Sequence, residues 1–214
     1  MNNHSAFFRK AKQNAGFSLI EMMTVVVVIS VLLVLAAPAF TRVSGSLEIS
    51  ISATTLADSL NLARQTALSS NRPVEVRFYE VPAPSGFTGK TTVIGIFRID
   101  DDGPHQMRQL ISLEKRVRMA QTEKFGPLLL STPSATGKIS SLDPTGATTY
   151  PYHYFQFRPD GSTNLAASSP GNDTWHVMLY NLQQPPTADT PPANYATIQL
   201  DPVTGRTKTF RPRS

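Results

Sequence analysis

An apolar run interrupted by one carboxylate is the feature of this chain that most limits how it can fold. Between Phe17 and Thr41 the only charged side chain is that of Glu21, and the stretch after it reads MMTVVVVISVLLVLAA. About 20 apolar residues form a helix of about 30 Å, which matches the hydrocarbon core of a bilayer. In lipid a single span has to be helical, because its backbone must satisfy its own hydrogen bonds. The sequence therefore predicts a transmembrane and assembly helix over residues 17–41.

The Glu21 carboxylate needs a partner in such surroundings. A lone ionised side chain in lipid costs about 2.5–3.5 kcal/mol on insertion scales, and the same apolar stretch contains no cation. Cleavage between Gly16 and Phe17 would create an α-amino group four residues before Glu21. The amine of a neighbouring copy or a related subunit would then be a suitable counter-ion, so we predict an assembly role for Glu21.

Gly16, Phe17 and Glu21, with basic residues before them and the apolar run after them, resemble the class III leader of type IV pilins and type II secretion pseudopilins. The resemblance implies that prepilin peptidase removes residues 1–16 and that the new N-terminal Phe17 is methylated. It also implies that the helix lies among membrane lipid before it joins other pilin or pseudopilin subunits. The expected location is the inner membrane, with a single pass and the head in the periplasm, and then a filament.

Two other interpretations of the N-terminus stay open. A secretory signal peptide could be cut after Ala39, where small residues precede the bond, although Pro38 in the cleavage box and Glu21 in the apolar core fit this poorly. The second alternative is an uncleaved anchor for a periplasmic domain, which gives Glu21 no role.

Composition excludes several classes of function. The net charge is +5, of which +3 lies in the leader, so the remaining surface is near neutral and not generally suited to nucleic acid. The absence of cysteine excludes thiol catalysis, disulfides and cysteine-bound zinc. No phosphate-binding loop, nucleophile elbow or paired-histidine zinc motif is present. We therefore predict no enzymatic activity, no metal and no cofactor, and we interpret the acidic run 100–102 as a solvated turn rather than a calcium site.

Residues 42–71 are predicted to form the amphipathic half of the same helix. Apolar residues recur there at steps of three and four, namely Ala53, Leu56, Ala57, Leu60, Ala63 and Ala67. Pro38 and Gly45 are expected to kink or loosen the helix. Pro73 predicts that the helix stops at about Ser70.

Residues 72–214 predict a β-rich head. Alternation over residues 74–79 indicates a half-buried strand, with Glu75, Arg77 and Tyr79 facing outwards. Further strands are predicted at 93–99, 152–158, 175–180, 195–200 and 206–210, with weaker candidates at 109–113 and 117–120, a turn at 100–104 and an irregular loop at 125–151. One helix followed by strands predicts an α+β, type IV pilin-like fold, in which the long helix packs on an antiparallel sheet.

The segments LNLARQTA at 60–67, NRPV at 71–74, FRPDG at 157–161 and the pair Gly205-Arg206 are similar to the GspH/FimT group of minor pseudopilins. Pilin-like proteins of verrucomicrobial gene cassettes are also similar. The resemblance implies a minor pilin or pseudopilin, which is a structural subunit of a type II secretion or type IV pilus-like filament.

The basic C-terminus suggests an alternative function, a pilin-anchored module that binds DNA. Some FimT-like pilins bind DNA through a C-terminal Gly-Arg-x-Arg element, and this chain has Gly205-Arg206-Thr207-Lys208 at that place. The candidate DNA-binding residues are Arg206, Lys208, Arg211 and Arg213. A solvated basic edge that discourages strand-to-strand aggregation is the competing interpretation.

Overall fold

The computed structural model describes residues 17–140, 142–168 and 174–212, and for residues 36–44 it describes the backbone alone. The chain divides into two compact units, Met1–Arg42 and Val43–Ser214. The helices are α1 (Leu19–Ser70) and the short α2 (Pro127–Leu130). The strands are β1 (Val74–Pro82), β2 (Lys90–Asp100), β3 (Gly103–Gln106), β4 (Ile111–Ser112), β5 (Val117–Met119), β6 (Ser134–Lys138), β7 (Thr149–Phe157), β8 (Trp175–Asn181), β9 (Tyr195–Leu200) and β10 (Thr207–Phe210).

Helix α1 begins two residues after the predicted start and ends at the predicted residue. Asn71 follows Ser70 with a positive φ of 50°, a left-handed conformation that commonly ends helices. Both Pro38 and Gly45 lie within α1, so neither residue terminates it. A kink at either residue stays a prediction.

The strands form two antiparallel sheets rather than the single sheet that the sequence predicted. Sheet A has the order β3-β2-β1-β7-β6, with β4 beside β2, and sheet B has the order β10-β9-β8-β5. The α+β fold class is confirmed. Alternation shows which side chains of a strand face the core, but it does not say which strands pair, so the division into two sheets was not predictable.

The main core lies between α1 and the two sheets. Leu56 and Leu60 on the helix are fully buried, and Phe155 of sheet A and Ile198 of sheet B belong to the same apolar cluster. Of the predicted apolar face of the helix, five residues are buried and only Ala57 is half-buried. The second half of α1 is therefore a core helix, as its periodicity indicated.

The prediction of an irregular loop over residues 125–151 is wrong. This segment contains α2, all of β6 and the start of β7. Strand β6 has the sequence SATGK, which carries no apolar alternation, and it forms by pairing with β7 from Ser134 opposite His153 to Lys138 opposite Thr149. Small polar residues adopt the strand because the neighbouring β7 supplies backbone partners, a tertiary effect that local composition cannot reveal.

The predicted turn at 100–104 and strand at 109–113 are both shorter in the structure. Only Asp101 and Asp102 form the turn, because β2 extends to Asp100 and β3 pairs back onto it from Gly103. The weak strand is reduced to the two residues of β4, which pair with Val93 and Ile94 of β2.

The outward face of β1 is covered, so the prediction of a half-buried strand is also wrong. Glu75 is 6% exposed and Tyr79 is 1% exposed. Tyr79 belongs to a second apolar cluster with Phe97, Tyr152 and Ile139. Sheet A is therefore buried on both faces near its centre.

A buried ion pair lies within this second face. The Arg77 Nε donates to Glu75 Oε1 at 2.6 Å, and the two side chains are only 13% and 8% exposed. The Arg77 guanidinium lies 4.1 Å from the centre of the Phe97 ring, and Gln156 donates to the other Glu75 oxygen at 2.9 Å. Burial disfavours the charged guanidinium, but hydrogen bonds to Tyr79 and Glu75 outweigh it, so the pKa of Arg77 is raised above its ordinary value.

Removal of one member of this pair should destabilise the fold. We expect Arg77→Ala to lower the free energy of unfolding by about 3–5 kcal/mol, because Glu75 would be left buried without its counter-charge. The double variant Glu75→Gln with Arg77→Met should recover most of this loss, since no buried charge remains. Urea denaturation of the purified chain in detergent measures both effects.

The matched control is Arg72→Ala, which removes an ion pair with Asp101 whose side chains are 44% and 87% exposed. We expect little change, because exposed pairs are screened by water and salt. Equal destabilisation by Arg72→Ala and Arg77→Ala would show that burial of the pair is unimportant.

Candidate functional site

The N-terminal half of α1 presents an apolar surface on all its sides. Every residue from Phe17 to Leu35 is exposed, including Leu19 at 78% and Leu35 at 70%. Among the residues whose side chains the structure describes, no helix is both long enough and apolar enough to cross a membrane.

Glu21 occupies the first turn of this helix. The Ser18 carbonyl accepts hydrogen bonds from the Glu21 and Met22 amides at 3.0 and 3.2 Å. Ser18 and Glu21 therefore stand at the spacing of a capping box, in which the acid is the third helical residue. A carboxylate at this end also interacts favourably with the helix dipole. The spacing thus allows Glu21 a local capping role in addition to the predicted assembly role, although the side-chain hydrogen bonds of the box are not formed within the described residues.

Two polar side chains that follow Glu21 in α1 form hydrogen bonds to backbone carbonyls of the same helix. Thr24 donates to the Glu21 carbonyl at 2.8 Å, and Ser30 donates to the Val26 carbonyl at 2.7 Å. Such back-bonding lets hydroxyl groups enter apolar surroundings. Within the described part of the chain, no hydrogen bond or ion pair reaches the Glu21 carboxylate. Gly16, the other half of the predicted cleavage site, lies outside the described residues.

A second site of interest joins α1 to two turns of the head. We call it the Arg64 clamp: Arg64 Nε donates to the Gly161 carbonyl at 3.2 Å and to the Thr204 carbonyl at 2.8 Å. Gly161 belongs to the turn after β7, and Thr204 belongs to the turn between β9 and β10. One half-buried guanidinium on the helix therefore holds one turn from each sheet.

The two turns also bond to each other. The Thr163 amide and hydroxyl both donate to the Pro202 carbonyl, at 2.8 and 2.9 Å. Within the second turn, the Asp201 carboxylate accepts the amides of Val203 and Thr204, and these bonds, that of Thr204 foremost, hold the pKa of Asp201 below its ordinary value. In the clamp, the backbone carbonyls of the two turns therefore accept hydrogen bonds from Thr163 and from the single cation Arg64.

Glycine is required where the turns meet. Gly161 and Gly205 have φ values of +80° and +64°, a region that other residues adopt at a cost. A Cβ on Gly205 would lie 2.1 Å from the Gly161 carbonyl oxygen, which is far inside van der Waals contact. The glycines of the two C-terminal segments that resemble GspH/FimT pseudopilins are therefore explained by this contact.

The basic C-terminal residues differ in their surroundings. Arg206 and Lys208 are exposed, and Lys208 lies 4.9 Å from the centre of the Phe210 ring. Arg211 instead donates to the Ser50 hydroxyl on α1, and Arg213 lies outside the described residues. Arg206, Lys208 and Arg211 are therefore all exposed, and Arg211 is the one of these three with a side-chain hydrogen bond to α1.

The acidic turn is paired with cations of the protein. The ligand atoms of Asp100, Asp102 and His105 lie within 4.8 Å of one another. Arg98, however, donates to both Asp100 oxygens at 2.6–2.9 Å. A metal ion would have to compete with that guanidinium for the same carboxylate, so the arrangement suits a salt-bridged turn.

Comparison with known families assigns the chain. Residues 11–37 match the model of the prokaryotic N-terminal methylation motif, and residues 52–182 match the model of the type II transport protein GspH. The chain belongs to the GspH family. No curated protein matches it, and neither does any solved structure.

The two matches support a pilin-like subunit of type II secretion, and a leader of this kind suggests a membrane anchor with the head towards the periplasm. A methylation motif of this kind implies processing by prepilin peptidase and assembly with other pseudopilins. The GspH match includes Arg64 and Gly161 and ends before Gly205, so the β9–β10 half of the clamp lies beyond it.

Arg64 is the site residue that sequence reasoning missed. Arg64 lies outside the apolar positions of α1, so the helical periodicity assigned no role to it. The sequence contained one indication of its role. Arg64 lies in the segment LNLARQTA, and the turns that contain Gly161 and Gly205 lie in two other segments that resemble the same group of pseudopilins. Nothing in one sequence indicated that these three segments meet.

The contact between the two turns can be tested with a pair of glycine variants. Gly205→Ala and Gly86→Ala both place a side chain at positive φ, +64° and +89° respectively, which costs about 1–2 kcal/mol. Only at Gly205 would the new Cβ also strike backbone, since nothing lies within 4 Å of the Cβ position at Gly86. We expect Gly205→Ala to be clearly more destabilising in urea denaturation. Equal losses for the two variants would contradict the contact.

Proposed function

We propose that this GspH-family protein is a minor pseudopilin, a structural subunit that joins a type II secretion or type IV pilus-like filament through helix α1. Prepilin peptidase cuts between Gly16 and Phe17, and the mature chain rests in the inner membrane with its head in the periplasm before assembly. The observation that carries this proposal is the surface of residues 17–35, which is apolar on all sides and contains a single charge. Such a surface is stable only in lipid or among similar helices.

Glu21 is proposed to set the axial register of the subunit. The cleaved chain would carry an α-amino group on Phe17, two residues before α1 begins, and the Glu21 carboxylate has no partner within the described part of the chain. Pairing of this carboxylate with the amine of an adjacent subunit neutralises both charges within an apolar bundle. A subunit in the wrong register leaves both charges unpaired, which is expensive away from water.

The variant Glu21→Gln tests the register role against the local capping role. Glutamine retains the hydrogen-bonding capacity that a capping box uses, but it carries no charge. We expect normal cleavage, seen by intact mass as loss of residues 1–16, together with at least a tenfold fall of the protein in sheared filaments. Glu21→Asp is the matched control, because it keeps the charge on a shorter side chain and should retain part of the incorporation.

Two outcomes would contradict the proposal in different ways. Normal incorporation of Glu21→Gln would show that the charge is not needed and that capping accounts for the residue. An intact mass that retains all sixteen leader residues, or that begins after Ala39, would remove the processing step itself.

DNA binding is proposed as a second function, on a narrower surface than the sequence suggested. It is supported by Arg206 and Lys208, which are exposed and have no ion pair within the described residues. Because phosphate contacts release counter-ions, such binding should weaken steeply with salt.

The double variant Arg206→Gln with Lys208→Gln should lower retention of duplex DNA on a filter at 50 mM salt at least fivefold. Lys90→Gln is a control, since Lys90 is an exposed cation that pairs with Glu80. Equal retention of DNA by the unchanged protein, the double variant and Lys90→Gln would contradict DNA binding through Arg206 and Lys208.

A further inference from the structure

The outward face of sheet B contains a shallow groove of about 290 Å³. Its floor is formed by Tyr195, Thr197 and Gln199, which alternate along β9 with the core residues Ala196 and Ile198. Side chains on one face of a strand are about 7 Å apart. The floor is therefore a row of three polar groups along one strand.

The sides of the groove supply a ring and a cation. Phe210 of β10 lies directly opposite Thr197 and is 42% exposed, and the Lys208 ammonium lies 4.9 Å from the centre of its ring. The exposed part of the ring is available to a ligand. Arg211 lines the same groove, and its bond to the Ser50 hydroxyl holds the guanidinium in place. That bond uses one of the five guanidinium N–H groups, which leaves donors for a ligand.

The polar groups of the floor are unoccupied within the described part of the chain. The side chains of Thr197 and Gln199 have no hydrogen bond there, and no carboxylate is found among the described residues that line the groove. The charge of the lining therefore favours an anionic ligand, while the floor favours one with many hydroxyl groups. The exposed ring favours a ligand with a flat apolar face.

We propose that this groove binds an acidic sugar unit, such as a uronate within a polysaccharide chain. Its ring stacks on Phe210, its carboxylate pairs with the Arg211 guanidinium, and its hydroxyl groups bond to Thr197 and Gln199. A bidentate pair with a planar carboxylate is the interaction for which arginine is best suited. Single-stranded nucleic acid is the weaker fit, because proteins that bind it present a continuous track of cations, whereas the described lining of this groove contains one arginine and no lysine.

The experiment measures binding of tetragalacturonate to the full chain in detergent by isothermal titration calorimetry. Maltotetraose, which has the same type of linkage and no carboxylate, is the neutral comparison, and a twelve-residue oligo(dT) is the nucleic-acid comparison. We expect tetragalacturonate to bind at least tenfold more tightly than maltotetraose. Arg211→Gln should remove this preference, and Phe210→Ala should weaken binding of both sugars.

Arg158→Gln is the matched control, because Arg158 is an exposed cation that follows β7 and does not line the groove. It should change the affinity for tetragalacturonate less than twofold. If Arg211→Gln unfolds the head, as judged by circular dichroism, Thr197→Val replaces it and should weaken both sugars through loss of one hydroxyl.

Three results would overturn the proposal. They are no detectable binding of tetragalacturonate at millimolar concentration, equal affinity for the acidic and neutral sugars, and tighter binding of oligo(dT) that responds to the same variants. None of them bears on assembly, because no residue that lines the groove belongs to residues 17–35. The incorporation of Glu21→Gln into filaments tests the proposed function separately.

Discussion

The burial of one face of helix α1 between two sheets determines where the rest of the head can lie. Leu56 and Leu60 have no exposed surface, and strands from both sheets reach the same cluster. Full burial of one leucine side chain contributes about 1.5–3 kcal/mol, so the row of apolar residues on α1 makes a large contribution to holding both sheets in one core. Because α1 also continues towards the N-terminus, the same element holds the head together and carries the apolar surface proposed for assembly.

Polar contacts position the last strand of the head, because apolar packing does not bury it. Strand β10 contributes no buried side chain, so its place depends on pairing with β9 and on three bonds that join α1 to β10 and to residues just before and after it. These bonds run from Arg64 to Thr204, from Thr207 to Asn61 and from Arg211 to Ser50. The basic C-terminus is therefore partly structural, since one of its cations ties the last strand to the helix. This arrangement also positions the wall of the groove on sheet B.

Two kinds of charged residue in this protein have different consequences. Glu75 and Arg77 are buried and paired within the chain, whereas Glu21 is exposed and finds no partner in the described part of its own chain. A carboxylate without an internal partner in an apolar surface is suited to recognition, because another subunit can satisfy it only in one register. The first kind could not be recognised in the sequence, where Glu75 and Arg77 looked like the outer face of an ordinary strand.

The sequence alone determined the features that depend on neighbours along the chain. These are the long helix with its stop at Ser70, its apolar face, the stronger strands of the head, the α+β class and the leader-like segment around Gly16, Phe17 and Glu21. Only the tertiary structure decided the separation into two sheets, the strand β6 within an apparent loop, the burial of Glu75 with Arg77, and the meeting of Arg64 with Gly161 and Gly205. The physical reason is that periodicity and turn chemistry act over a few residues, whereas strand pairing and burial join segments as far apart as Arg64 and Thr204.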